Sequence, residues 1–223
     1  MQRCRVSSVG GGGTSVAVSV ATAAPVFHAD DSSSLPTGFV SAELAATPAL
    51  TPTTPDGESD VGGVAARVYD ALRSRLAGVD IDLALAGDAV SLNPLRARAE
   101  TDANLILHVN ATDVVALMGR ADAAIGAGGG STWERACLGL PTLAVIVAEN
   151  QRETIERLTQ DGVLLSVSLD DPDFEEALNG AFDRLSDAAI RANLANGAAR
   201  LCDGQGADRA AEALLARIAR KAG

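Results

Sequence analysis

The chain has one lysine in 223 residues, and it is Lys221, two residues from the C-terminus. A P-loop needs Gly-Lys-Ser/Thr beneath the phosphates, so nucleotide hydrolysis of that type is excluded. Cysteine is scarce as well. Cys4, Cys137 and Cys202 are odd in number and widely spaced, which suggests neither a disulfide framework nor a zinc site and fits a reducing compartment. Cys137 reads as a small buried residue. Of the two histidines, His28 sits in Pro-Val-Phe-His-Ala-Asp without flanking glycines and reads as incidental. His108 ends an apolar run and reads as a satisfied core or loop residue. No run approaches the ~20 apolar residues of a membrane span. Cations are few against acids, and the net charge of −11 excludes nucleic acid or anionic membrane as a general partner. It leaves room for a local anion site, because backbone N–H groups bind phosphate without cationic side chains. The acidic run Asp170, Asp171, Asp173, Glu175 and Glu176 matches no calcium loop and reads as a solvated helix start. No metal site is expected.

Residues 1–58 differ in kind from the rest. Residues 10–13 are all glycine, residues 15–20 alternate Ser, Val and Ala, and residues 30–55 are rich in Ser, Thr, Pro and Ala. Such composition buries too little to offset its ordering entropy, so this stretch is expected to be a disordered, low-complexity leader. Arg3 and Arg5 precede a weakly apolar stretch with Ala21-Thr22-Ala23 in the position of a cleavage site. Glycines and hydroxyls break that stretch, and the expectation is a cytoplasmic chain.

Residues 59–223 read as one domain of alternating elements. Val64, Val68, Leu72 and Leu76 recur at helical spacing, and Val79, Ile81, Leu83 and Leu85 alternate as in a strand. Residues 105–109 form a second strand, and Thr112 opens a helix running to Arg120. A third strand covers residues 123–126, a fourth 142–147 and a fifth 163–167. Helices follow from about Pro172. Alternation of this kind predicts an α/β fold: a Rossmann-like parallel sheet flanked by helices, with ligands at the carboxyl ends of the strands.

Between the third and fourth strands lies Gly126-Ala127-Gly128-Gly129-Gly130-Ser131-Thr132-Trp133-Glu134. It fails the dinucleotide G-x-G-x-x-G pattern, because Ser131 stands where glycine or alanine belongs. Gly128, Gly129 and Gly130 nevertheless leave N–H groups uncovered just before a helix start at Ser131 or Thr132, a ready site for phosphate or diphosphate. Glu134 has two readings. Ser131-Thr132-Trp133-Glu134 fits an S-x-x-E capping box; alternatively, a carboxylate one turn into the helix accepts hydrogen bonds from a ribose.

The stretch GAGGGSTWERACLGLPTLAVIVAENQ, residues 126–151, resembles the nucleotide-binding motif of the UDP-sugar hydrolases of pseudaminic acid biosynthesis. These remove UDP from a 2,4-diacetamido-2,4,6-trideoxy-altropyranose and are related to MurG-like GT-B glycosyltransferases. The similarity extends upstream through residues 82–87, 105–109 and 113–118 and returns at residues 203–209, covering roughly Gly57 to the end. It implies the C-terminal-type, nucleotide-binding domain of a GT-B protein. It also implies that Gly128, Gly129, Gly130, Ser131 and Thr132 hold the diphosphate and that Glu134 holds the ribose. Asn150, in Glu149-Asn150-Gln151, would contact the sugar near the bond that breaks, with Gln151 beside it, and Val109 would present its backbone to uracil. No cofactor is implied. The chain departs from the family in lacking the N-terminal half and its G-x-G-H-x-x-R segment, whose histidine is the expected base or water-positioning group. Two readings follow: a hydrolase, or a binding half that needs a partner chain to supply the other GT-B domain. Residues 203–209 also have a bland reading, in which Gly204 and Gly206 end one helix and start the next, with Asp203 or Asp208 helping.

Overall fold

The computed structural model describes residues 15–19 and 60–222. The proposed cleavage site at residues 21–23, His28 and Cys4 lie outside them, as does most of the stretch read as a leader. Six strands form one sheet in the order β3-β2-β1-β4-β5-β6, and every adjacent pair is parallel. The strands are β1 (Ser15–Ser19), β2 (Asp80–Leu85), β3 (Leu105–Val109), β4 (Ala123–Ala127), β5 (Thr142–Ile146) and β6 (Leu165–Ser168). The helices are α1 (Val64–Leu72), α2 (Leu92–Ala99), α3 (Val114–Gly119), α4 (Ser131–Cys137), α5 (Glu149–Gln160), α6 (Phe174–Leu185), α7 (Ala188–Leu201) and α8 (Gly206–Ala222). The expected α/β class, with a parallel sheet flanked by helices, is what the chain adopts.

The alternation of residues along the strands divides the core between two faces. Ala123 and Ile125 of β4 and Leu143 and Val145 of β5 join β2 and helices α1, α2 and α6 in one cluster. Ala144 and Ile146 point the other way, to Ala136 of α4, Ile155 and Leu158 of α5 and Ala198 of α7. Ala124 meets Val114 and Met118 of α3. Both β4 and β5 are buried along their whole length, as strands covered on two faces must be. Small residues set how closely the layers approach. A Cβ on Gly197 of α7 would lie 2.5 Å from the backbone oxygen of Gly162, so this helix can seat only where no side chain intervenes.

Three differences from the sequence expectations stand out. Residues 15–19, placed in the leader, are the strand β1 between β2 and β4; Val16 pairs with both Ile81 and Ala123. A hydroxyl-rich Ser-Val-Ala-Val-Ser segment just after a glycine run carries little of the apolar signal of a central parallel strand, and its partners are 65 or more positions away. The domain boundary at residue 59 therefore omits a strand. Helix α2 was not foreseen because Pro94 interrupts the pattern, yet proline is tolerated in a first turn, where N–H groups have no intrahelical acceptor. The cap of α3 is Asp113, whose carboxylate accepts from Ala116 N–H at 2.9 Å, in place of Thr112.

Asp60 ties two helix starts together. It is buried, with one carboxylate oxygen accepting from Ala65 N–H at 3.1 Å and the other from Ser91 N–H at 2.8 Å. Hydrogen bonds to a charged group are worth roughly 1.5–3 kcal/mol each. Asp60→Ala is therefore expected to cost about 3 kcal/mol or more, read as a lower urea midpoint at unchanged slope.

Candidate glycine-loop site

The order of the sheet reverses between β1 and β4, and a crevice at the carboxyl ends of strands belongs at such a switch point. The glycine loop leaves β4 there. Gly128 still belongs to the sheet, because its N–H donates to Val145 O at 3.0 Å. Its missing Cβ makes room for α5: an added one would lie 2.6 Å from Ile155 Cγ1 and 3.3 Å from Gln151 Oε1. Gly129 and Gly130 differ, since an added Cβ at either meets nothing within 4 Å. Thr132 N–H turns back to Gly129 O and Trp133 N–H to Gly130 O. The N–H groups of Gly129, Gly130 and Ser131 have no acceptor among the described residues. Of the five residues expected to present an anion cradle, three therefore offer free amides, Thr132 offers its hydroxyl, and Gly128 is committed to packing.

This separation makes the loop testable glycine by glycine. Gly128→Ala forces Ile155, which is fully buried, out of its seat and is expected to cost about 1–3 kcal/mol. Gly130 has helical backbone angles, φ −56° and ψ −37°, so Gly130→Ala is expected to fold with wild-type stability in a thermal melt.

Beneath the loop lies a residue that the sequence analysis passed over. Arg135 is 0 % exposed. Its guanidinium donates to Ala127 O at 2.9 Å, Ser131 Oγ at 3.1 Å and Thr132 Oγ1 at 3.1 Å, while its Nε has no partner. Among the described residues it pairs with no carboxylate within 4 Å. Burial pulls the guanidinium down to about 10, the nearby Glu134 charge opposing, and at neutral pH it remains a buried cation. Each hydroxyl that accepts from Arg135 keeps its own hydrogen to donate. The signal available in the sequence was helical spacing: Arg135 follows Ser131 by four residues and Thr132 by three, on the same face.

Glu134 is partly buried, and burial raises its carboxyl above the ordinary value, with Arg135 opposing. The capping box does not form. The N-cap position belongs to Gly130, Ser131 is the first helical residue, and no side-chain cap bond is made. Ser131 Oγ serves Arg135 instead. Gln151 sits against the loop, its Oε1 accepting from Val147 N–H at 3.1 Å. Asn150 is exposed on the first turn of α5, beside Glu149, which pairs with Arg152 at 2.9 Å.

Val109 lies apart. It ends β3 at the edge of the sheet, three strand spacings or roughly 14 Å from β4. Asn110 N–H donates to Leu85 O, so the pleat turns the N–H and C=O of Val109 toward the open edge. Asn110 holds this end in place with φ 52° and accepts from Gly87 N–H at 2.7 Å. His108 is satisfied by Asp82 at 2.6 Å, which Arg120 also engages. In the segment 203–209, Gly204 has φ 73°, α8 begins at Gly206, and Asp203 accepts from Gln205 N–H and from Arg209, which fulfils the helix-junction reading. No cluster of three or more metal-ligating side chains and no helix long and apolar enough to cross a membrane occurs among the described residues.

No family model matches the chain. It is 33% identical over 113 residues to the spore coat polysaccharide biosynthesis protein SpsG of Bacillus subtilis (strain 168), a match covering 50% of this chain and 33% of that protein. Among solved structures it is similar to the calicheamicin glycosyltransferase CalG4, with a TM-score of 0.57 at 17% identity over 95% of this chain and 45% of that one. It is also similar to a UDP-N-acetylglucosamine 2-epimerase, with a TM-score of 0.57 at 13% identity over 94% and 44%. The S. aureus MnaA–UDP co-structure gives 0.56 at 10% over 89% and 44%. The chain thus spans a third of its curated relative and less than half of these solved chains. By fold, it is a Rossmann-like domain of the GT-B type.

Proposed function

We propose that this chain binds a UDP-sugar along the carboxyl edge of its sheet and hydrolyses the anomeric C–O bond, releasing UDP and free sugar. The model for this reading is the hydrolase of UDP-2,4-diacetamido-2,4,6-trideoxy-altropyranose in the pseudaminic acid pathway. The observation that carries it is the set of free amides at Gly129, Gly130 and Ser131, opening into unfilled space above a buried guanidinium. These three N–H groups, with the hydroxyls of Ser131 and Thr132, would hold the diphosphate. Water adds to the anomeric carbon, the bond to the β-phosphate oxygen breaks with its electron pair, and the proton of the water passes to solvent. The amides stabilise the departing diphosphate, so no metal is required. Glu134 takes the ribose hydroxyls, Asn150 orients the sugar or the attacking water, and Gln151 supports the loop. Val109 presents its backbone to uracil, which requires the nucleoside to run along the sheet edge. A solved neighbour with UDP bound and a polysaccharide-biosynthesis relative support this class of ligand.

A second reading is that of a nucleotide-sugar-binding half that works only with a partner chain supplying the other GT-B half. The chain covers less than half of each neighbour cited, and α8 exposes Leu214, Leu215 and Ile218 to solvent. Calorimetric titration with UDP, with ADP as control, tests what the readings share: saturable binding of UDP alone is expected, and binding of neither nucleotide overturns both. Release of UDP from a UDP-sugar by the isolated chain then selects the hydrolase, and release only with an added partner selects the half.

A further inference from the structure

We propose that Cys137 and Cys202 are an oxidation site, closing into an intramolecular disulfide when a small-molecule disulfide such as oxidised glutathione is present. The inference stands apart from the nucleotide reading. Cys137 is the last residue of α4 and Cys202 caps the C-terminus of α7, 65 positions later. Both are free, and their sulfurs lie 2.7 Å apart. The two helices are held together by packing around Ala136 and Ala198, which share one core cluster, so the approach of the thiols is imposed by the fold.

The separation itself selects the chemistry. Two thiolates sharing a tetrahedral zinc at ~2.3 Å each would stand roughly 3.7 Å apart. The observed distance is well inside that and falls toward the ~2.05 Å of a disulfide bond. No third metal-ligating group joins the pair among the described residues.

Burial pushes the Cys137 thiol up to about 12, with Cys202 adding to the effect. Either sulfur can make the first attack; with Cys202 in that role, the exchange starts from its thiolate. This breaks the S–S bond of oxidised glutathione, forming a mixed disulfide and releasing one glutathione thiolate. Cys137 then loses its proton to that thiolate and attacks the Cys202 sulfur, expelling the second glutathione. The two cysteines are oxidised by two electrons in all, and one glutathione disulfide is reduced to two thiols. The bond would tie α4, which carries Ser131, Thr132 and Glu134, to the junction from which α8 departs.

The test equilibrates the full chain in glutathione buffers from fully reduced to fully oxidised, quenches with acid, alkylates the remaining thiols and maps the peptides by mass spectrometry. The expected result is a linked pair of peptides containing Cys137 and Cys202, lighter by two hydrogens than the separate thiols. A rise in the thermal midpoint is expected with it, because the closed loop restricts the unfolded chain. The same link is expected in Cys4→Ser. Both thiols free across the series, glutathione adducts alone, or bridges to Cys4 or between chains would overturn the proposal.

Discussion

Arg135→Met is expected to leave the fold standing while cutting UDP affinity by about 100-fold or more. The variant removes a buried cation that has no carboxylate partner among the described residues and fills most of its volume with an apolar chain. Replacements of that kind in buried ionic sites are often neutral or stabilising. Opposing this, Ala127 O loses its donor, at a cost of roughly 1–3 kcal/mol. The net change in stability should therefore stay within about 2 kcal/mol. Binding is another matter. A guanidinium roughly 6 Å from a bound phosphate, at an effective dielectric near 20, contributes about 3 kcal/mol per charge. Without it, the hydroxyls of Ser131 and Thr132 also lose the contact that orients them. Calorimetry at a temperature where the variant is folded reads the effect directly. A folded Arg135→Met chain with wild-type UDP affinity would reduce Arg135 to a packing residue. Arg135→Ala is the less informative variant, because the void it leaves should cost about 3 kcal/mol or more.

Glu134→Ala is expected to lower UDP affinity by about 100-fold, the loss of two charge-assisted hydrogen bonds to ribose partly offset by solvation. Stability should not fall, since Glu134 makes no cap bond. A cap would have predicted a loss of about 0.5–2 kcal/mol. Its pH dependence provides a second readout through Glu134→Gln. Burial raises the folded-state pKa of Glu134 above its ordinary value of 4.5, so between the two values the folded chain holds the proton more tightly than the unfolded one. Stability from this group is present at low pH and lost as pH rises through the folded value. The advantage of Glu134→Gln over the wild type should grow across that window, as followed by denaturant melts at successive pH values. Equal affinities in wild type and Glu134→Ala would remove the ribose role.

The glycine loop, the helix after it and the buried strand β5 were legible because each signal is local. Three consecutive glycines before a hydroxyl pair mark a strand-to-helix turn, and Thr142–Ile146 is too short and too apolar for anything but a covered strand. Asn150 and Gln151, read only as an exposed polar segment after the fourth strand, lie on the first turn of α5. Division of labour within the loop was not legible. Nothing in Gly-Gly-Gly distinguishes Gly128, which makes room for Ile155, from Gly129 and Gly130, which face open space. Glu134 showed a capping-box spacing, and only the position of Gly130 at the N-cap, with Ser131 engaged by Arg135, rules the box out.

The sequence alone determined the α/β class and the parallel sheet, because hydrophobic period and turn residues act over a few positions. Tertiary structure decided the rest. Ser15–Ser19 became a central strand by pairing with β2 and β4, Arg135 became a buried cation, and Cys137 came to rest against Cys202. Each of these depends on which distant segment lies alongside, and burial and pairing are properties of that neighbour as much as of the residue itself.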